Sequence, residues 1–178
     1  PVYENPRVSV VIPVYNQIDY TLKCLESISH NLPDTSFEIV IADDCSTDPT
    51  GDVLAGVEGI KVIRHPQNLK FLRSCNRAVD FCRGDYVFLL NNDTMVKPGW
   101  LDSLVETFEV HEDAGLVGSK LVYPDGQLQE AGGIVWRDAS AWNFGRLQDP
   151  EKPEYNYLRE VDYVSGAAIM FPRKLFLD

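Results

Sequence analysis

Three polar clusters in the sequence have the residue types and spacing of chemistry at strand ends: Tyr15-Asn16, Asp43-Asp44 and Asn91-Asn92-Asp93. Carboxylates and amides are oxygen ligands, and oxygen-only donor sets suit Mg²⁺ or Mn²⁺. A divalent cation on Asp93 would offset the charge of a phosphate-bearing ligand. Something must do so, because no glycine loop cradles a diphosphate on backbone N–H groups. The turn Pro13-Val14-Tyr15-Asn16-Gln17 is not GxGxxG, and no GxxxxGK[ST] run occurs. Zinc is a poor match, since Cys24, Cys45, Cys75 and Cys82 form no CxxC and His30, His65 and His111 are scattered. The cysteines read as small buried thiols of a reducing compartment.

Each cluster follows an apolar run that reads as a buried strand. Val8–Val14 is β-branched, Phe37–Ala42 (FEIVIA) follows it, and Tyr86–Leu90 is continuously apolar between Arg83-Gly84-Asp85 and the asparagines. Ile60–Arg64 adds a short third strand in chain order. Between them, helical spacing predicts a helix from Tyr20 to about His30 capped by Asp19, and one from Leu69 to Cys82 with Leu72, Cys75, Val79 and Cys82 on one stripe. A further helix carries Leu101, Leu104, Val105 and Phe108, and Gly115–Val122 reads as a fifth strand. Strands alternating with such helices imply βαβ units and a mainly parallel sheet, with ligands just beyond the carboxyl ends of the strands. Parallel neighbours lie about 5 Å apart, so the three clusters can fall within roughly 15 Å. After Tyr123 the pattern becomes loops and short antiparallel strands, and Val161–Phe171 returns to a buried strand.

A length of 178 residues allows one domain, or one domain with a small extension, and is read as a single domain over 1–178; 44% hydrophobic residues are ample for a core. A net charge of −11 argues against nucleic acid. No run approaches a membrane span, and no signal-peptide pattern opens the chain.

The ordered set VSVVIPVYN, IADDCSTD, NLKFLRSCNRA and GDYVFLLNNDT resembles family 2 glycosyltransferases of the GT-A fold, a Rossmann-like α/β architecture with a mixed, mainly parallel sheet flanked by helices. LVYPDGQLQEAGG and VDYVSGAAIMFPRKLF are similar to bacterial transferases of surface-polysaccharide assembly, including rhamnosyltransferase-like members. The resemblance runs from Arg7 onward. It implies that Pro13, Val14 and Tyr15 line a nucleoside pocket and that Asp43 accepts the imide N–H of uracil or thymine. It implies that Asn68 and Asn76 border the nucleotide, and that Asn91-Asn92-Asp93 stands for the family's DxD signature with Asp93 as the metal ligand. Asn91 replaces an aspartate, and Lys70 stands where the family often has glycine, its amine able to meet a donor phosphate or solvent.

The implied activity is inverting transfer from a UDP- or dTDP-sugar, with Mn²⁺ or Mg²⁺, to a saccharide or lipid-linked saccharide acceptor. The implied setting is cytoplasmic, with at most peripheral association at the inner membrane face. Residues 124–160 would form acceptor-side loops. The family's catalytic base belongs to an acidic motif downstream of the VSGA strand, so it is expected beyond Asp178, with Asp162 a poor substitute. Read from residues alone, Asp43–Asp48 serves equally as turn and cap chemistry, and Trp136 and Trp142 either stack on an acceptor sugar or pack under a loop. A non-catalytic nucleotide-sugar-binding module is the alternative. A nucleotidyltransferase is disfavoured because no glycine- and basic-rich triphosphate loop follows the first strand.

Overall fold

A computed structural model describes residues 3–177. Six strands form one sheet in the order β3-β2-β1-β4-β10-β5: β1 Val8–Val14, β2 Phe37–Asp43, β3 Ile60–Arg64, β4 Tyr86–Leu90, β5 Val117–Gly118 and β10 Ala168–Pro172. The first four are parallel, and β10 runs antiparallel to both β4 and β5. Two hairpins stand apart, β6 Leu121–Val122 with β7 Leu128–Glu130, and β8 Gly133–Val135 with β9 Ala141–Asn143. The helices are α1 Ile18–His30, α2 Thr50–Leu54, α3 Lys70–Val79, α4 Asp102–Val110 and α5 Arg173–Leu177.

Because the central strands are apolar at nearly every position, both sheet faces are buried. One face packs Val10, Ile12, Val14, Ile41, Phe88 and Leu90 against Cys24 and Ile28 of α1, Leu54 of α2, and Leu104, Val105 and Phe108 of α4. The other packs Val11, Val40, Ala42, Val87 and Leu89 against Cys75, Ala78 and Val79 of α3. Strand β4 can lie close beside β1 because Gly84 precedes it; a Cβ there would sit 2.6 Å from the Ser9 backbone nitrogen.

The structure corrects several boundaries. Gly115–Val122 is not one strand. Val117–Gly118 pairs with β10, Ser119 donates its N–H to Ala168 O, and Leu121–Val122 turns away to pair with β7. Of Val161–Phe171, only the stretch from Ala168 joins the sheet, because the residues before it run beside the hairpins. Helix α1 starts after Gln17, which has a left-handed backbone and gives no side-chain cap, so Asp19 lies within the first turn. There its charge still complements the helix dipole. In α3 the stripe against the sheet is Ser74, Cys75, Ala78 and Val79, while Leu72 is 69% exposed.

Candidate functional site

The parallel pairing of β2, β1 and β4 brings their carboxyl ends to one edge, so residues 15–17, 43–48 and 91–94 are neighbours there. Val14 is buried in the core, leaving Pro13 half-buried and Tyr15 exposed as the pocket-lining candidates at the end of β1. Asn16 and Gln17 reverse the chain with φ of 59° and 60°. They also join two loops. The Asn16 N–H donates to Ser46 Oγ at 2.8 Å, Asn16 Oδ1 accepts the Thr47 N–H at 2.7 Å, and the Gln17 N–H donates to Asp48 Oδ2 at 2.8 Å.

The two aspartates after β2 divide the work. Asp43 is wholly buried, its Oδ1 accepting the Ser46 N–H at 2.9 Å and its Oδ2 accepting from Arg64 Nη1 at 2.9 Å. In this arrangement it holds the strand end and offers a base no exposed surface. Asp44 instead reaches across to α3, where Oδ1 accepts the Leu69 N–H at 2.6 Å and Oδ2 the Lys70 N–H at 2.9 Å. Asn68 Oδ1 also accepts from the Lys70 N–H, at 3.2 Å. Lys70 has φ 66°. That backbone is easy for glycine and costs an L-residue roughly 1–2 kcal/mol, so this lysine keeps a glycine-type turn at some strain. The sequence marks both aspartates as polar groups at a strand end, but the family resemblance gives a role to Asp43 alone. Asn76 is not gathered to the edge; it lies farther along α3, on the exposed side.

At the end of β4 the Asn91 N–H donates to Ala167 O at 2.9 Å, and Asn91 O accepts from Thr94 Oγ1 at 2.6 Å. Asn92 Nδ2 donates to Thr21 Oγ1 of α1 at 3.0 Å. Burial, opposed by a hydrogen bond with Thr94 and reinforced by the Asp93 charge, pushes the Cys24 thiol up to about 11. Cys24 therefore supports this loop as a neutral thiol. Asn91 and Asp93 keep uncommitted side-chain oxygens. Asn91 Oδ1 is buried with no hydrogen-bond partner, and the exposed Asp93 carboxylate has none among the described residues.

This donor set fits a hard divalent cation that takes part of its shell from a ligand's phosphates. Among the described residues no three His, Cys, Asp or Glu side chains cluster as a ready-made metal site. A cation on Asp93 would therefore depend on substrate oxygens.

Beside this edge the segment 163–167 ties the hairpins to the sheet. Glu130 is buried and accepts the Ser165 N–H at 2.7 Å; burial pushes its carboxyl up and that hydrogen bond opposes the shift. Gly133 bridges Tyr163, and Asp162 Oδ2 accepts the Val135 N–H at 2.8 Å, which commits Asp162 to the hairpin. Trp136 and Trp142 are 52% and 67% exposed, so neither is packed under a loop. A cleft of about 890 Å³ lies between the end of α4, β5 and residues 155–164, and none of the predicted donor-site residues lines it.

Comparison with known proteins agrees with this fold. The model of glycosyl transferase family 2 matches residues 9–176. The O-antigen biosynthesis protein RfbC of Myxococcus xanthus is 29% identical over 99% of this chain and 14% of its own length. The putative teichuronic acid biosynthesis glycosyltransferase TuaG of Bacillus subtilis is 35% identical over 57% of this chain and 41% of its own. The chain thus spans well under half the length of these relatives. Among solved structures, S. aureus TarS superimposes with a TM-score of 0.60 at 25% identity, over 68% of this chain and 37% of TarS. It has been crystallised with UDP-GlcNAc. The mannosyltransferase PcManGT of Pyrobaculum calidifontis, solved with GDP-Man and Mn²⁺, gives 0.60 at 22% identity over 68% and 37%, and supports the fold. With a family model spanning nearly all of its length and the GT-A architecture of its structural neighbours, the chain belongs to glycosyl transferase family 2.

Proposed function

We propose that the chain is the donor-binding core of an inverting, metal-dependent glycosyltransferase that uses a UDP- or dTDP-sugar in the assembly of a cell-surface polysaccharide. The observation that carries this reading is the contrast at one sheet edge. Asp43 and Asp44 are fully engaged in building the edge, while Asn91 Oδ1 and the Asp93 carboxylate are left without protein partners beside it.

In this reading the nucleoside rests near Tyr15 and the loop tied by Asn16. Its diphosphate extends toward Asn91–Asp93, bordered by Asn68, Lys70 and the amide of Asn92. Asn76 would come to the nucleotide only through a rearrangement of α3, and Asp43 would act on the base indirectly, by fixing the loop around Ser46. Mn²⁺ or Mg²⁺ held by Asp93 would neutralise charge developing on the departing diphosphate. Asp93 supplies the fixed anionic ligand, and Asn91 a neutral oxygen in the place of a second one. Because Asn91 is neutral, metal affinity in the absence of nucleotide is low. The acceptor is a saccharide or lipid-linked saccharide approaching from the side of the hairpins. The reading favours a cytoplasmic protein.

Calorimetry with UDP, dTDP and GDP, each with and without Mn²⁺, tests this. Binding of UDP or dTDP strengthened by Mn²⁺ is expected, and Asp93→Ala should abolish the strengthening. Equal Mn²⁺ dependence in wild type and variant would remove Asp93 from the site. A binding module without turnover differs in one respect: it would bind the same donors yet not hydrolyse them.

A further inference from the structure

Charge is distributed unevenly over this chain. Residues 60–79, which comprise β3 and α3, contain Lys61, Arg64, Lys70, Arg73 and Arg77 and no aspartate or glutamate, whereas the remaining residues hold 11 Lys and Arg against 27 Asp and Glu. In a strongly acidic protein, five of the 16 cations stand in this one unit with no acid among them. Arg64 is used internally, on Asp43. Lys61, Lys70, Arg73 and Arg77 make no ion pair among the described residues, and Arg73 and Arg77 are exposed on the side of α3 opposite Ser74, Cys75, Ala78 and Val79. A single carboxylate, the exposed Asp80, follows at the end of the helix.

Apolar side chains are interleaved with these cations. Leu72 is 69% exposed between Lys70 and Arg73 on the helix, and Phe81 is 36% exposed under Lys61, whose Nζ lies 5.3 Å from the ring centre. The same sheet face carries α5, where Phe176 stacks on Phe171 at 5.1 Å and Lys174 is exposed.

We propose that the outer face of α3, with Lys61 of the edge strand β3, is a docking surface for an anionic lipid bilayer. Cations at a membrane surface each contribute about 1 kcal/mol against acidic headgroups, and apolar side chains among them gain by entering the interface. An extended anionic glycan would reward the arginines but not an exposed leucine. Glu38 and Asp44, whose charges reach Cys82 and Cys75 on this side of the sheet, are engaged by Arg83 and by the Leu69 and Lys70 N–H groups. Charges more than about 8 Å away are largely screened at physiological ionic strength. The membrane would be met by the face that α3 covers, leaving the donor edge at the end of the strands open to solvent. The proposal builds on the donor-site reading for its biological sense only; the binding itself is independent of it.

Co-sedimentation of the chain with vesicles of phosphatidylcholine alone, and of phosphatidylcholine mixed with phosphatidylglycerol, tests the surface. Binding to the mixed vesicles only, weakening as salt is raised, is expected. The double variant Arg73→Gln/Arg77→Gln should lower that binding by about tenfold or more, and Leu72→Ser should lower it at constant charge. Lys23→Gln/Arg137→Gln, an equal loss of charge elsewhere, should leave it unchanged. Circular dichroism checks that each variant is folded, and UDP calorimetry reports the donor site separately. Equal binding to neutral and mixed vesicles, no binding to either, or equal loss in both double variants would overturn the proposal. Capture of a soluble anionic polysaccharide without vesicle binding would also overturn it. Vesicle binding with no UDP binding would leave the surface standing and refute the donor-site reading alone.

Discussion

The donor edge has two halves built on opposite principles. On the β1–β2 side, Asn16, Asp43, Ser46, Asp48 and Asp44 exchange hydrogen bonds with one another, with Arg64 and with the start of α3. On the β4 side, Asn91 Oδ1 is buried without a partner and Asp93 is exposed and unengaged among the described residues. Polar groups satisfied inside the protein hold shape, whereas an unsatisfied buried polar atom costs roughly 1–3 kcal/mol. Among the described residues Thr50 Oγ1 and His65 Nδ1 also lack partners, but Asn91 Oδ1 stands beside an unengaged carboxylate. The first half therefore sets the form of the edge, and in the proposed reading the second receives the ligand. Aspartates of similar appearance in the sequence differ in kind.

Exchanging aspartates between the halves should separate stability from binding. The largest expected effect is on the built side. Asp44→Ala leaves the Leu69 and Lys70 N–H groups without their acceptor and should cost about 3 kcal/mol of stability in urea denaturation, since hydrogen bonds to a charged group contribute about 1.5–3 kcal/mol each. Nucleotide binding should weaken in parallel. On the open side, Asp93→Ala should change stability by no more than about 0.5 kcal/mol, as for a surface substitution, while removing the Mn²⁺-dependent part of nucleotide binding. If the two variants behaved alike in denaturation, the division would fail.

Smaller effects sharpen the picture. Lys70→Gly relieves the left-handed backbone and should raise stability by roughly 1 kcal/mol, measured by the same denaturation; a loss of stability would mean that the lysine side chain is held. Glu130→Gln addresses the hairpin that leans on the edge. Burial raises the Glu130 carboxyl above its ordinary range, so the folded state binds this proton more readily than the unfolded state. The associated stability is present below the ordinary glutamate pKa and lost as pH rises through the folded value. The variant should therefore melt higher than wild type at neutral pH, with the advantage fading as pH falls into the ordinary glutamate range. A constant difference across pH would contradict this.

Much of this edge was legible in the sequence, because continuous β-branched and apolar runs state both strand and burial. Val8–Val14, Ile60–Arg64 and Tyr86–Leu90 have the predicted limits, and Phe37–Asp43 differs by one residue. The order of motifs also carried the family. Pairing partners were not legible. Gly115–Val122 looks like one strand because its apolar residues do not reveal that Val117 faces β10 while Leu121 faces β7. Val161–Phe171 misled for the same reason, its first half being spent on the hairpins. The roles of Asp43 and Asp44 were beyond sequence reading too, since they depend on Arg64 and the Lys70 amide, residues that the fold alone brings near. The Lys70 position was flagged as a departure from glycine, and its φ supplies the reason.

The central claim is that Asp93 is the residue kept free for a metal on the donor diphosphate. Anomalous diffraction from crystals soaked with UDP and Mn²⁺ tests it most directly. A manganese peak about 2 Å from an Asp93 carboxylate oxygen, shared with the diphosphate and absent in Asp93→Ala, is the expected result. Nucleotide bound at the strand ends with no manganese at Asp93 would contradict it.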